Sequence, residues 1–199
     1  MMQHAPVMIV LLPVSAALLC MLFSRISKNL GSWIVIASIF GAFLSAVTAL
    51  QQVIARNGAP IHYWMGGWQP PIGIEFVIDP LSGILAVLIT FISLMVAIYS
   101  RPFVKDEDWL HIGGYYTLFG LMTVGMCGMV ITGDVFNLYV YLEVMSLSGY
   151  GLIALGGKKS MLAAFRYLLI GTIGASLYLQ CFYKVVIFCN RSSCARHFF

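Results

Sequence analysis

The chain has 199 residues, of which 61% are hydrophobic and only 9% charged, with a mean hydropathy of +0.95. A soluble globular domain carries roughly 25% charged residues, so that class is excluded and an integral membrane protein in a lipid bilayer is indicated. The net charge of +4 comes from scattered basic residues, not from a clustered patch, which argues against a nucleic-acid partner and makes these charges reporters of membrane topology.

A hydrocarbon core about 30 Å thick needs about 20 apolar residues at 1.5 Å rise per residue. Six stretches meet that need, at residues 5–23, 30–55, 81–100, 111–132, 135–155 and 161–183. The first lacks the basic leader and small-x-small cleavage site of a signal peptide and contains Pro13, so it is expected to be a retained helix. Arg25 and Lys28 follow the first span, Arg101 and Lys105 the third, and Lys158 and Lys159 the fifth. Basic residues recurring on one side make that side cytoplasmic and place the N-terminus outside.

Between the second and third spans, Ile72, Ile74, Phe76 and Ile78 alternate with Gly73, Glu75 and Val77. An earlier run from Ile61 to Met65 is separated from them by Gly66, Gly67, Pro70 and Pro71. This pattern predicts a short extracytoplasmic β-hairpin, with Tyr63, Trp64 and Trp68 suited to the headgroup level. Asp79 before Pro80 reads as an N-cap followed by proline at the first helical position.

Residues 181–199 lose the glycine and alanine texture and accumulate Lys184, Arg191, Arg196 and His197 without an acidic partner. The expectation is an atypical tail, produced by a frameshift or truncation after Leu179, with a basic membrane anchor as the alternative. Cys189, Cys194 and His197 lack the fourth ligand and small supporting fold of a zinc site, so no metal and no cofactor is expected. The five cysteines imply no disulfide framework.

Glu143 is the residue that most demands a function. Nine residues after Asp134 at 1.5 Å each place it about 13 Å along the fifth span, close to the bilayer midplane. A carboxylate there costs roughly 3 kcal/mol, against about ten apolar residues contributing −0.3 to −0.6 kcal/mol each, so the helix is marginal alone and needs neighbours. Ionisable groups at such depth mark ion paths and proton relays, the alternative being a structural carboxylate hydrogen-bonded to a neighbouring helix. Gly133 and Asp134 form the turn and helix cap that begin this span. Arg166, about one and a half turns into the sixth span, is either a second charge on the same path or an arginine snorkelling to the near headgroups. The glycines and methionines of the last three spans are packing residues first.

The segments GDVFNLYVYLEVMSLSGYGLIALGG and KKSMLAAFRYLLIGTIGASLYL, with the hairpin YWMGGWQPPIGIEFVIDPLSG, resemble the antiporter-like subunits of respiratory complex I, membrane-bound hydrogenases and multisubunit cation/proton antiporters. The resemblance is strongest to the D-type component of those antiporters, over about Met1 to Leu179. It implies an all-α polytopic membrane protein of about six transmembrane helices with a short hairpin, being the N-terminal part of a fourteen-helix, inverted-repeat antiporter-like fold. Residues 1–110 would form the three-helix region with its hairpin, and residues 111–180 the start of the first proton-translocating repeat.

In that family the glutamate of the fifth helix is essential for proton translocation, and Glu143 matches it. Arg166 stands where many members carry lysine. The resemblance further implies other membrane subunits as partners, and protons and a monovalent cation, sodium, as transported ions, in a prokaryotic inner membrane. Three functions follow: the proton-translocating portion of a cation/proton antiporter, the same module in a redox-driven NADH:quinone oxidoreductase or hydrogenase, or a non-transporting scaffold. No catalytic chemistry is expected in the chain itself.

Overall fold

The computed structural model describes residues 5–24, 28–67, 74–104 and 109–191. Arg25, Lys105, Trp68, Pro70, Pro71, Ile72, Gly73, Cys194, Arg196 and His197, named above, lie outside the described residues, as do the side chains of Lys28, Lys158, Cys189 and Arg191. The chain folds into α1 (Ala5–Ser24), α2 (Lys28–Ala55), β1 (Ile61–Trp64), β2 (Glu75–Ile78), α3 (Pro80–Val104), α4 (Trp109–Ile131), α5 (Val135–Ala154) and α6 (Lys158–Arg191). In lipid only structures that satisfy every backbone group internally can span, and helices do so residue by residue.

Among the described residues five helices are long and apolar enough to cross a membrane: α1, α3 and most of α2, α4 and α6. The exception is α5, whose 20 residues match the bilayer in length but include Asn137, Glu143, Ser146 and Ser148. Its place in the membrane depends on its neighbours, as its marginal insertion balance requires. The α6 helix runs for 34 residues to Arg191, unbroken through Leu179 and Cys181.

Helices α1 to α4 pack into one group in which α1 lies against α2 and α4, and α3 against α2 and α4; α5 packs on α4, and α6 on α5. Lipid tails are as apolar as leucine, so these contacts rest on close approach at small residues. Gly120 of α4 faces Ala17 of α1, where an added Cβ would lie 3.2 Å from the alanine methyl. The core has two centres. One, built on Ile9, Val53, Phe76, Ile78, Val124, Cys127 and Ile131, lies at the hairpin end; the other, built on Cys20, Val35, Ile39, Ala97 and Tyr116, lies towards the opposite end.

Buried hydroxyls return hydrogen bonds to their own helices, as Thr90 does to the Ala86 carbonyl at 2.7 Å and Thr123 to that of Phe119 at 3.0 Å. Among the described residues no buried side-chain nitrogen or oxygen lacks a partner, as a bilayer interior demands. At the end of the bundle away from the hairpin, the Arg101 guanidinium lies 4.1 Å from the ring centroid of Trp33, a cation–π contact that ties α3 to α2.

The two strands pair antiparallel, Ile61 with Ile78 and Trp64 with Glu75. Alternation sends Ile61, Phe76 and Ile78 into the core and leaves His62 and Trp64 outside, as the period of two dictates. On the outer face the Glu75 carboxylate meets His62 Nδ1 at 2.7 Å and accepts from Trp64 Nε1 at 3.3 Å. Ile74, expected within the strand, precedes it and is exposed, although its carbonyl accepts from the Met65 amide at 3.0 Å. The chain leaves β2 through Asp79, whose carboxylate accepts from the Ser82 amide at 2.7 Å and caps α3.

Candidate functional site on helix α5

The hairpin rests directly on the turn that opens α5. Phe76 bridges to Thr132, and the Gly133 amide donates to the Glu75 carbonyl at 2.9 Å. A Cβ on Gly133 would come 2.7 Å from a Val77 methyl, so this approach needs glycine. Asp134 is extended, with φ −114° and ψ 128°, and its Oδ1 accepts the Phe136 amide at 3.0 Å. It is the N-cap of α5, and its charge faces the positive end of the helix dipole.

From this cap two side-chain rows run along α5. Asn137 and Ser148 are buried; Asn137 donates to the Thr132 hydroxyl at 3.1 Å. This row faces α4, where Gly125 and Gly128 let Met145 and Tyr141 approach. The second row, Val135, Tyr139, Glu143 and Tyr150, lies along one helical stripe because residues three and four apart are neighbours. It faces α6.

Three contacts fix the α5–α6 register. Tyr139 stacks on Tyr178 with ring centroids 5.9 Å apart, Tyr150 meets Tyr167 edge-on at 4.8 Å, and the Tyr178 hydroxyl donates to the Val135 carbonyl at 3.2 Å. Gly171 accommodates Tyr150, since any Cβ there would collide with its hydroxyl. Glu143 lies between the two tyrosine pairs. Its Oε1 accepts a hydrogen bond from the Tyr139 hydroxyl at 3.0 Å, and the residue is half-buried.

Arg166 takes another direction. It is exposed, and the one ion pair among the described residues is that of His62 with Glu75; none joins Arg166 to Glu143. Antiparallel pairing of Tyr150 with Tyr167 puts Arg166 beside residue 151, about 12 Å along the axis from Glu143 at 1.5 Å per residue. Tyr139 and Tyr178 belong to the site but were not singled out from sequence. The spacing of four between Tyr139 and Glu143 was available as a signal; the α6 partner was not. Among the described residues no cluster of three or more His, Cys, Asp or Glu side chains could hold a metal.

Residues 64–112 match the family model described as NADH-ubiquinone oxidoreductase (complex I), chain 5 N-terminus. The chain is 43% identical over 179 residues to NADH-quinone oxidoreductase subunit N of Desulforudis audaxviator, covering 90% of this chain and 36% of that protein. It is 31% identical over 173 residues to the putative antiporter subunit mnhD2 of Staphylococcus epidermidis, covering 86% of this chain and 34% of that one. Among solved structures, the membrane-bound sulfane sulfur reductase, an archaeal respiratory membrane complex, contains a chain that superposes with a TM-score of 0.81 at 31% identity, over 89% of this chain and 36% of that one. The chain thus spans about a third of the length of the relatives it matches. With its apolar helices and surface hairpin, the chain is homologous over about nine-tenths of its length to part of the antiporter-like membrane subunits found in complex I-type oxidoreductases and multisubunit antiporters.

Proposed function

We propose that the chain contributes the entry half of a proton path in a multisubunit membrane complex, with Glu143 as the group that takes up and releases the proton. The observation that carries this reading is a carboxylate midway along a bilayer-length helix, bonded to a tyrosine hydroxyl and turned towards the next helix. A lipid-facing carboxylate would be costly, whereas one flanked by hydroxyl-bearing side chains in a helix interface can change charge at modest cost. Arg166 is assigned a secondary place on the exposed flank of α6, where its charge meets headgroups or a neighbouring subunit and acts on the path from a distance.

The basic residues of alternate loops support an N-terminus and hairpin on the extracytoplasmic side of a prokaryotic inner membrane. Protons would then enter α5 from the hairpin side. The partners are further membrane subunits, a reading supported by relatives that are themselves parts of larger assemblies.

Two driving forces fit this module. In the first, proton movement is exchanged for a monovalent cation, sodium, as the likeness to antiporter subunit mnhD2 supports. In the second, it is driven by redox chemistry in partner subunits, which the 43% identity to a quinone oxidoreductase subunit favours. Sealed vesicles holding the assembled complex separate them: acidification driven by a sodium gradient supports the first, and acidification driven only by an electron donor and quinone supports the second. Glu143→Gln should abolish either flux. Lost assembly, with flux per assembled complex unchanged, would instead assign the chain a scaffold role.

A further inference from the structure

Along the α5–α6 seam Glu143 lies between two tyrosine pairs, and it touches one of them through the Tyr139 hydroxyl. The pairs Tyr139–Tyr178 and Tyr150–Tyr167 each have residue numbers summing to 317, as antiparallel neighbours should at constant register. The same sum places Gly174 opposite Glu143. Gly174 is exposed and a Cβ added there would meet nothing within 4 Å, so α6 leaves open space at the level of the carboxylate. The Tyr139–Tyr178 stack closes the hairpin side of that room, and the Tyr150–Tyr167 contact closes the other.

Tyr139 is fixed from two directions. Its ring stacks on Tyr178, which is tied in turn to the first turn of α5 by its hydrogen bond to the Val135 carbonyl. Its hydroxyl donates to Glu143 Oε1. A hydrogen bond to an ionised carboxylate is roughly twice as strong as one to a neutral group, so Tyr139 grips the charged form and loosens when Glu143 takes a proton. Helical side chains lean towards the N-terminus, which here is the hairpin side. Protonation therefore weakens the tie holding the carboxyl group towards Tyr139, and the space at Gly174 gives it somewhere to turn.

We propose that Tyr139, held by Tyr178, is a positioning residue that latches the Glu143 carboxylate towards the hairpin side and releases it on protonation into the space left by Gly174. No covalent bond other than that to the transferred proton changes: the carboxylate gains it and the Tyr139 hydroxyl keeps its own. The inference rests on Glu143 being the proton carrier.

The test uses the assembled complex in membrane vesicles, with proton flux and the infrared carboxylate band of Glu143, identified by its loss in E143Q, measured together. Y139F keeps the ring and removes the hydroxyl; it should shift that band and lower flux about tenfold, the order expected for losing a hydrogen bond to a charged group. Y178A should reproduce both changes, whereas Y178F, which retains the stack, should shift the band little. G174A puts a methyl where space is open and favours the helix, so the complex should assemble while flux falls several-fold. An unshifted band and wild-type flux in Y139F, or wild-type flux in G174A, would overturn the latch while E143Q still abolishes transport. Intact flux in E143Q would instead remove the proton-carrier reading itself.

Discussion

The backbone amide of Gly133 donates to the carbonyl of Glu75 at 2.9 Å, so the surface hairpin and the turn that begins the Glu143 helix are one hydrogen-bonded unit. Its tightness has a direct consequence. Gly133→Ala places a methyl 2.7 Å from Val77 and should cost about 1–3 kcal/mol as an overpacked contact. Thermal unfolding of the purified complex, with limited proteolysis of the hairpin, measures it; unaltered proteolysis would show that the two elements move apart freely.

The two faces of the hairpin should respond very differently to truncation. Phe76 is fully buried, near the Tyr141 ring at 6.5 Å between centroids, and Phe76→Ala should cost about 3–5 kcal/mol through the cavity it leaves. The His62 side chain is 51% exposed where its Nδ1 meets Glu75, and His62→Ala should cost less than about 1 kcal/mol, the usual worth of a surface pair. The two melting temperatures side by side check the contrast.

Glycines on α4 and α5 divide in the same way. At Gly125 a Cβ would lie 2.8 Å from the Met145 backbone, which cannot move aside, so Gly125→Ala should separate α4 from α5 and reduce the amount of assembled complex. Gly149 has nothing within 4 Å of an added Cβ, and Gly149→Ala should be neutral or gain up to about 1 kcal/mol in helix propensity. Equal losses in both variants would contradict the packing described.

Asp79 makes the start of α3 sensitive to acid. The Ser82 hydroxyl and amide hold its carboxyl below the ordinary value of 3.8, chiefly through the side-chain hydrogen bond. A group whose folded value is depressed contributes stability above its unfolded value and loses it as pH falls through the folded one. The junction of β2 with α3 should therefore loosen below about pH 4. In Asp79→Asn that acid dependence should disappear, as amide exchange at residues 79–83 would report.

Much of this architecture could be read from the chain. Alternation around Phe76 located β2, and Asp79 with Pro80 located the start of α3, because a period of two and a cap are local properties. Helix positions followed from the length of apolar runs, with ends displaced by a few residues, as where α3 continues through Arg101 and Pro102 to Val104. Which face of each helix meets its neighbour was not legible. A helix apolar all round carries no amphipathic signal, so the approach of Tyr178 to Tyr139 is visible only in three dimensions. The same loss of signal left Arg166 open as a partner for Glu143, whereas it is exposed on α6 and unpaired with it. The position of Glu143 midway along α5 was legible, because it needs only a turn and a residue count.

The central claim is that Glu143 carries the proton, and proton flux per assembled complex in sealed vesicles, compared between the native protein and Glu143→Gln, tests it most directly. Glutamine keeps the shape and can still accept from Tyr139, but it cannot take up and release a proton. A proton carrier at this position predicts normal assembly with flux reduced to the background of empty vesicles. Normal assembly with undiminished flux would contradict it.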